Sequence, residues 1–490
     1  MSSRRGSLPP FGPSRSTSGG SLESRFVVFG FVALTSVVAC QKSPATTDAP
    51  PATTTASASG AISAGAATAA GSASAAPSAS GASAAAIDRV PTVPAAPLNV
   101  LLITIDSLRQ DMPWVGYPRN IAPNLTKLAK ESVVYTHAYS ISSYTAKSVA
   151  AFSTSRYPSS LYRSGFFFTD YSKANTFLAE VLHDHGIRTM GVHSHLYFAH
   201  GKQLDQGFDV WQVVPGITFD PETDKNVTSE KMTDIGVKLL GDPANTGKQF
   251  FAWLHYTDPH DQYITHPESP DFGKKNRDRY DSEVFFTDLH IGRLLDFAKK
   301  QPWWDKTAII VSADHGEAFG EHGVYKHAFW LWDVLTRVPL FVHLPGGTPR
   351  TIDALRSHID LAPTVLDLMG VKDAPPSFVG RSLGPEIRGD AAPDDREPIV
   401  LDLPLDSQNP QIRAIVKGGK KLIVYGKSRS ELYDIVGDPG ELHDLAASDA
   451  ADLSTMKAEF DRVWSTIPFV ESYGGMKLHD GSTANGPMKP

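Results

Sequence analysis

Four stretches of the chain are apolar at nearly every position, and segments with a helical spacing of apolar residues separate them. The apolar runs lie at 98–105, 188–193, 249–255 and 307–313. Such runs, rich in β-branched residues, are typical of strands buried on both faces of a parallel sheet. The helical segments lie at 122–131, 174–185, 279–299 and 358–369. This alternation predicts an α/β fold with a mainly parallel central sheet and helices on both faces.

The pattern changes near residue 396, where the apolar runs become shorter. They lie at 398–402, 411–416, 420–425 and 431–434, and a helical spacing follows at 451–465. Short runs in close succession are typical of antiparallel strands joined by turns. We therefore predict a main domain at 98–395 and a C-terminal subdomain at 396–490, built from a small antiparallel sheet and a closing helix.

The beginning of the chain has the features of an export signal. Arginines precede an apolar stretch at 26–39, and Cys40, the only cysteine in the chain, follows it. The sequence Val-Val-Ala-Cys at 37–40 resembles a bacterial lipobox, with Val where Leu is usual. The resemblance implies a signal peptide at 1–39 and a lipid on Cys40. A plain signal peptide and an uncleaved membrane anchor are the alternatives.

Residues 40–97 consist almost entirely of Ala, Ser, Thr, Gly and Pro, so this segment is predicted to be a disordered linker. We therefore expect an exported bacterial lipoprotein of the cell envelope, periplasmic or on the outer surface. Its contact with the membrane would be through the N-terminal lipid only. The formal net charge of −7, with both signs mixed along the chain, argues against a nucleic-acid partner.

Two of the apolar runs end at an aspartate. Asp106 follows the first run, and Asp314 follows the run at 307–313, with His315 next to it. Ligands of open α/β sheets bind beyond the carboxyl ends of the strands, so these side chains are candidates for a metal site. The alternative is that each aspartate caps a following helix. The combination of two carboxylates and an imidazole favours the metal.

A segment rich in hydroxyl residues, at 140–153, becomes helical in its second half. A hydroxyl at the start of a helix faces unpaired backbone N–H groups and the positive end of the helix dipole, which favours a nucleophilic alkoxide. Simple N-capping by a serine or threonine is the alternative, and for any single residue it is the commoner role.

Eight segments, in order, resemble the sulfatase family of the alkaline phosphatase superfamily. They lie at 99–106, 156–158, 191–196, 255–263, 312–323, 337–340, 360–370 and 431–441. Each is a weak signal alone, but together they extend over about three quarters of the chain. The resemblance implies an alkaline phosphatase-like fold and an ester hydrolase.

The resemblance places the nucleophile at Thr145, counted back from the Arg-Tyr-Pro at 156–158. Sulfatases have a cysteine or serine there, within Cys-x-Pro-x-Arg, and oxidise it to formylglycine. This chain has Thr145 and, in place of the arginine, Val149. Threonine is not a substrate for that oxidation. Relatives with a threonine nucleophile are phosphodiesterases, phosphoethanolamine transferases and phosphoglycerol transferases.

A second departure concerns the metal ligands. Sulfatases have two adjacent aspartates after the first strand, whereas this chain has Asp106 and Ser107. The resemblance then implies one divalent ion held by four residues, namely Asp106, Thr145, Asp314 and His315. Oxygen ligands with one imidazole favour Mn²⁺ or Zn²⁺, with Ca²⁺ as an alternative. A second zinc would need Asp258, His260 and His327, but their spacing does not match the two-zinc families.

These features predict a metal-dependent hydrolase or transferase of phosphate or phosphonate esters, with a phosphorylated Thr145 as intermediate. Its substrate would be a small molecule or an ester of an envelope lipid or glycan. Several side chains are candidates to protonate the leaving oxygen or to hold the other oxygens, with structural roles as the alternative: His193, His195, His260, His327, Lys326 and Lys147. The alternative functions are a sulfatase that acts without formylglycine and a non-catalytic binding lipoprotein.

Overall fold

The computed structural model describes residues 97–199, 201–218, 225–394 and 398–484. The predicted signal peptide at 1–39 and the lipidated Cys40 lie outside these residues, as does the predicted linker except for its last residue. No helix in the described part of the chain is long and apolar enough to cross a membrane.

The strands form a central sheet, a small second sheet and a two-stranded ribbon. In chain order they are β1 Asn99–Ile105, β2 Val133–Tyr139, β3 Arg188–His193, β4 Val210–Val213, β5 Phe250–Tyr256, β6 Thr307–Ala313, β7 Ala318–Phe319, β8 Tyr325–Lys326, β9 Arg337–His343, β10 Arg350–Ile352, β11 Arg356–Ser357, β12 Ile399–Leu403, β13 Ile412–Lys417, β14 Lys420–Tyr425 and β15 Arg429–Asp434. The central sheet has the order β10-β2-β9-β6-β1-β5-β3-β4, and β11 pairs with β2. Its strands are parallel to their neighbours except β9, which is antiparallel to β2 and to β6.

Helices cover both faces of the central sheet. They are α1 Pro123–Ala129, α2 Thr145–Thr154, α3 Leu178–Asp184, α4 Ser229–Gly241, α5 Pro243–Thr246, α6 Asn276–Ala298, α7 Asp333–Thr336, α8 Leu361–Leu368, α9 Gly384–Arg388 and α10 Ala450–Trp464. Alternate side chains of β1 enter two separate cores. Val100 and Leu102 pack with residues of α2, α3 and α8, and Leu101 and Ile103 pack with residues of α1, α4 and α6. The predicted fold, with helices on both faces of a mainly parallel sheet, is confirmed.

The second sheet is antiparallel, with the order β12-β13-β14-β15. One of its faces packs on α10 through a small apolar cluster that includes Ile415, Leu422 and Met456. The other face contributes Leu401 and Ile412 to the core beneath α2 and α8. The predicted small C-terminal sheet with its helix is therefore present, and it shares a core with the larger sheet.

Candidate active site

The register of the two central strands brings the two strand-ending aspartates together. In the β1–β6 pair, Ile105 lies opposite Ala313, so Asp106 and Asp314 follow at the same edge of the sheet. Both side chains are buried. Loops follow both strands within the described residues, and neither aspartate caps a helix. The helix-cap alternative is therefore wrong for both residues.

Thr145 is the first residue of α2, and its side chain points at this edge. Its Oγ1 lies 3.3 Å from Oδ2 of Asp106 and 3.2 Å from Nε2 of His315. Helix α2 is ten residues long, so its dipole adds a positive potential where the hydroxyl lies. Two strands and one helix thus place the hydroxyl, the carboxylates and the imidazole in contact.

Three of these side chains fit a divalent cation. One ligand atom each from Asp106, Asp314 and His315 lies within 4.8 Å of the others, and this is the only such group among the described residues. His315 Nδ1 lies 3.0 Å from the carbonyl oxygen of Gly316, which places the proton on Nδ1 and leaves Nε2 as the donor for a metal. Within the described part of the chain, Asp314 Oδ2 is buried without a hydrogen-bond partner.

The electrostatics of the cluster also suit a bound cation. Burial raises the pKa of Asp314 well above its usual value, and the neighbouring Asp106 carboxylate raises it further. Burial opposes ionisation of Asp106 too, but a hydrogen bond to His255 and the charges of nearby imidazoles hold its pKa well below the usual value. Burial and the charge of His327 lower the pKa of His315 to about 3, so this imidazole is neutral. Two buried carboxylates beside a neutral imidazole are the donor set of a cation site.

Ser107 occupies the position of the second aspartate of the family. Its Oγ donates to Oδ1 of Asp106 at 3.0 Å, and its backbone N–H donates to Oδ1 of Asp314 at 3.3 Å. The backbone of Ser107 has a φ of 57°, in the left-handed region. Ser107 therefore orients the two carboxylates by hydrogen bonds instead of adding a third carboxylate.

A group of loop residues faces the carboxylate cluster from the other side. The ring of His327 lies 4.4 Å from that of His315 and 4.8 Å from that of His260. Burial lowers the pKa of His327, but the Glu317 carboxylate, 3.2 Å from its Nδ1, outweighs this and raises the pKa to about 9. His327 is therefore a cation at neutral pH. Lys326 is half exposed, and its Nζ lies 2.7 Å from Oδ2 of Asp261.

His195 lies at the edge of the same group, with its ring 6.2 Å from that of His260. Its Nδ1 accepts a hydrogen bond from the backbone N–H of Tyr197 at 3.0 Å, so its proton is on Nε2. Burial lowers the pKa of His195 to about 4, with a further contribution from His260. His195 is thus a neutral hydrogen-bond donor.

His193 is the one predicted histidine that the structure does not bring to the site. It lies on β3, two strands away from β1, which corresponds to about 10 Å across a sheet. Its ring packs among Phe198, Trp211 and Trp253, with centroid distances between 3.9 and 4.5 Å. Burial lowers its pKa well below the usual value. The structure places His193 in an aromatic core, so it is not a candidate to contact substrate.

Two further residues named in the sequence analysis, the candidate Lys147 and the set-aside Asp258, are engaged away from the cluster. Lys147 is fully buried; it donates to Thr169 Oγ1, and its Nζ lies 3.5 Å from Oδ2 of Asp406. The proposed role of Lys147 as a point charge on the substrate is therefore wrong. Asp258 accepts hydrogen bonds from Thr228 and from the backbone N–H of Ser229, at the start of α4. It is not part of a second metal site.

Two residues of the site were not predicted from the sequence, His255 and Glu317. His255 in β5 lies opposite Thr104 of β1, and its Nε2 lies 3.6 Å from Oδ2 of Asp106. Its position at the carboxyl end of a strand next to β1 was a usable signal. Glu317 is buried and supports His327. Its signal was its place two residues after His315.

The Sulfatase family profile matches residues 98–371, and the profile named N-sulphoglucosamine sulphohydrolase, C-terminal, matches residues 320–463. The chain belongs to the sulfatase family. This is an ester-hydrolase family of the alkaline phosphatase superfamily, and its members are metal-dependent.

Among curated relatives, the ulvan-active sulfatase of Formosa agariphila is 26% identical over 431 residues, which are 76% of this chain and 82% of that protein. The choline-sulfatase of Rhizobium meliloti is 28% identical over 203 residues, and the match covers only 39% of each protein.

Solved structures show the same fold. A 2-O GAG sulfatase aligns with a TM-score of 0.64 and 20% identity, over 75% of this chain and 92% of that one. The phosphonate monoester hydrolase of Silicibacter pomeroyi aligns with a TM-score of 0.62 and 22% identity, over 79% and 99%. Structures named as sulfatases and as phosphonate hydrolases therefore fit this chain about equally well.

Proposed function

We propose that this sulfatase-family protein hydrolyses phosphate or phosphonate esters with Thr145 as the nucleophile. The observation that carries the proposal is the position of the Thr145 hydroxyl, within 3.3 Å of Asp106 Oδ2 and of His315 Nε2 at the start of α2. Position 145 holds a threonine, neither the cysteine nor the serine from which formylglycine is made, so formylglycine cannot form there.

The reaction needs two displacements at phosphorus. Thr145 Oγ1 gives up its proton and attacks in line, the bond from phosphorus to the ester oxygen breaks, and that oxygen takes up a proton so that the alcohol leaves. Water then attacks the phosphorus of phosphothreonine, and Thr145 regains its hydroxyl proton as phosphate or phosphonate is released. A formylglycine hydrate can expel its ester group by elimination through a second hydroxyl on the same carbon. A threonine ester lacks that hydroxyl, so this second attack must occur at phosphorus.

The side chains on the loop side of the site supply positive charge and protons. His327 is charged at neutral pH and can donate to a nonbridging oxygen or to the leaving oxygen. His195 offers a neutral N–H. The Nδ1 of His260 lies 3.0 Å from the carbonyl oxygen of Asp261, which leaves its Nε2 to face the substrate.

We propose Mn²⁺ or Zn²⁺ as the ion, with Ca²⁺ as an alternative, held by Asp106, Asp314, His315 and the Thr145 oxygen. The ion, when bound, supplies a Lewis acid that neutralises substrate charge and lowers the pKa of the threonine hydroxyl. Without it, Asp106 and Asp314 would repel an anionic ester, so the chain's own residues require a cation for this chemistry.

The test is a panel of p-nitrophenyl sulfate, p-nitrophenyl phosphate, p-nitrophenyl phenylphosphonate and bis(p-nitrophenyl) phosphate, with Mn²⁺ or Zn²⁺ added. We expect turnover of the phosphorus esters, a loss of about 10⁴-fold in Thr145→Ala, and partial retention in Thr145→Ser. Mass spectrometry of the acid-quenched enzyme should find phosphate on the Thr145 peptide. An active alanine variant would exclude Thr145 as the nucleophile.

A second candidate function is the hydrolysis of sulfate esters. The specific observation in its favour is that the ulvan-active and choline relatives are named as sulfatases. Turnover of p-nitrophenyl sulfate without turnover of the phosphorus esters would support it. A non-catalytic protein is less consistent with the site, because Asp106, Asp314 and His315 all remain in ligand geometry.

We also propose that the protein is exported and held at the cell envelope by a lipid on Cys40. The support is the lipobox-like sequence at 37–40, followed by a linker poor in charged and bulky apolar residues. Metabolic labelling with a palmitate analogue in a bacterial host should label the wild-type protein and not Cys40→Ser. Equal labelling of both proteins would contradict the proposal.

A further inference from the structure

Three exposed phenylalanines lie on two segments that adjoin the candidate active site. Phe166, Phe168 and Phe329, which we call the aromatic rim, have 44%, 37% and 39% of their surface exposed. Exposed aromatic side chains that cluster beside a site are typical of a surface that binds an apolar group.

The aromatic rim is next to the residues that face the substrate. The ring of Phe168 lies 6.3 Å from that of His195, with 25° between the planes. Phe329 follows His327 by two residues. A group that leaves from phosphorus beside these histidines would therefore lie close to the aromatic rim.

The aromatic rim is held in a fixed conformation. Phe167, between two of its members, stacks on Tyr144 at 4.6 Å with 2° between the planes and lies 6.1 Å from Phe329. Tyr144 directly precedes the nucleophile. Ala328 and Phe329 have φ values of 66° and 61°, an unfavourable conformation that the surroundings must maintain.

A loop of the C-terminal subdomain supplies those surroundings. Ser407 Oγ accepts from the backbone N–H of Phe167 at 3.0 Å, and Asn409 Oδ1 accepts from that of Phe329 at 3.1 Å. Asp406 accepts from the hydroxyl of Tyr144 at 2.6 Å. One loop therefore orients both segments of the rim and the residue before the nucleophile.

The charged groups beside the aromatic rim are already paired with each other. Lys202 Nζ lies 2.7 Å from Asp170, and Lys326 Nζ lies 2.7 Å from Asp261. These two ion pairs therefore add no net positive charge for a polyanionic ligand. The charge balance and the exposed rings favour an uncharged, apolar group.

From these contacts we infer that the aromatic rim binds an aryl leaving group, and that the preferred substrates are aryl esters. This rests on the proposed function for the identity of the reacting group. Phe168 and Phe329 are then specificity-determining residues that act through stacking on the leaving group.

The experiment measures kcat and KM for three methylphosphonate esters: the phenyl ester, the 2-naphthyl ester and the glucose 6-ester. The two phenols have similar acidity, so they are similar leaving groups. The same three esters of sulfate form a second series. We expect a 2-naphthyl preference of about 3- to 10-fold over phenyl, mainly in KM. Phe168→Ala and Phe329→Ala should each remove most of it, and Phe168→Leu should retain part. Phe469→Ala, an exposed phenylalanine outside the rim, is the matched control.

A 2-naphthyl preference that survives in both alanine variants, or a preference for the glucose ester, would overturn the inference. A binding experiment separates this inference from the proposed function. Fluorescence or calorimetry measures the affinity of the metal-loaded enzyme for naphthalene-2-phosphonate and for methylphosphonate. If only sulfates turn over, or nothing does, the proposed function fails. In that case tighter binding of the naphthyl compound, lost in Phe168→Ala, still supports the aromatic rim, and equal binding refutes it.

Discussion

The two halves of the candidate site are built in different ways. Asp106 and Asp314 follow adjacent parallel strands, so the strand register alone brings them together. His260 and His327 lie on loops, and the backbone around His327 is left-handed at Lys326 and Ala328. The strand half holds the carboxylates of the metal-ligand set. The loop half holds His327, the imidazole that is positively charged at neutral pH. Long-range pairing thus determines the first half, and local loop conformation determines the second.

The largest expected effect comes from Asp314→Asn in the strand half. Loss of this carboxylate should lower metal affinity and reduce turnover by about 10³-fold or more, because the cation loses a charged ligand. In the metal-free protein the same change should raise the melting temperature, because it removes one of two buried neighbouring carboxylates. Calorimetry with and without metal measures both effects.

The control is Asp305→Asn, an exposed aspartate that precedes β6 and so lies at the opposite end of this strand from Asp314. It should change neither the metal affinity nor the melting temperature of the metal-free protein. A change in melting temperature that has opposite signs with and without metal is the signature of a cation site. A variant that keeps metal-stimulated turnover, or that is destabilised in both states, would show that Asp314 is a structural residue.

In the loop half, we expect Glu317→Gln to cause a smaller loss of turnover than Asp314→Asn. Glu317 is buried against His327 and is the group that raises its pKa to about 9. The neutral amide should leave His327 uncharged at pH 7.5 and lower kcat by about 10²-fold, with metal affinity unchanged. Steady-state kinetics and metal titration check the two parts. Glu321→Gln, on the same loop, is the control, and a loss of metal affinity in Glu317→Gln would contradict the separation of the two halves.

The same division explains what the sequence predicted. Apolar runs and their terminal aspartates were visible, so β1, β3, β5 and β6 and the strand half of the site were found. The predictions from the sequence did not include β2 or α4. The antiparallel direction of β9 depends on which strands pair, and a pattern of apolar residues does not show this. Nor did it show that His193 lies in an aromatic core, because Trp211 and Trp253 reach it only through folding.

A third prediction concerns the core beneath the strand half. His358 is buried between Ser312 of β6, whose Oγ lies 2.8 Å from its Nε2, and Phe152 of α2. Burial lowers its pKa to about 3. The unfolded chain takes up a proton below about pH 6.5 that the folded protein does not, so stability is full above that pH and falls as pH falls toward 3.

For this one group the loss in the free energy of unfolding at pH 5 is about 2 kcal/mol. His358→Leu should make the decrease in stability between pH 7 and pH 5 smaller by that amount, as measured by denaturant unfolding. His443→Leu, at an exposed histidine, is the control. An unchanged pH dependence in His358→Leu would show that His358 titrates normally in the folded protein.

The smallest effect should come from His193→Leu, which tests whether His193 lies outside the loop half of the site. Both ring nitrogens of His193 are buried without hydrogen-bond partners among the described residues, so the imidazole is desolvated without compensation. A leucine of similar size should leave kcat and KM within about twofold and leave stability equal or higher. His195→Leu, two residues along, is the matched comparison and should lower kcat. A large loss of kcat in His193→Leu at unchanged stability would mean that His193 belongs to the site after all.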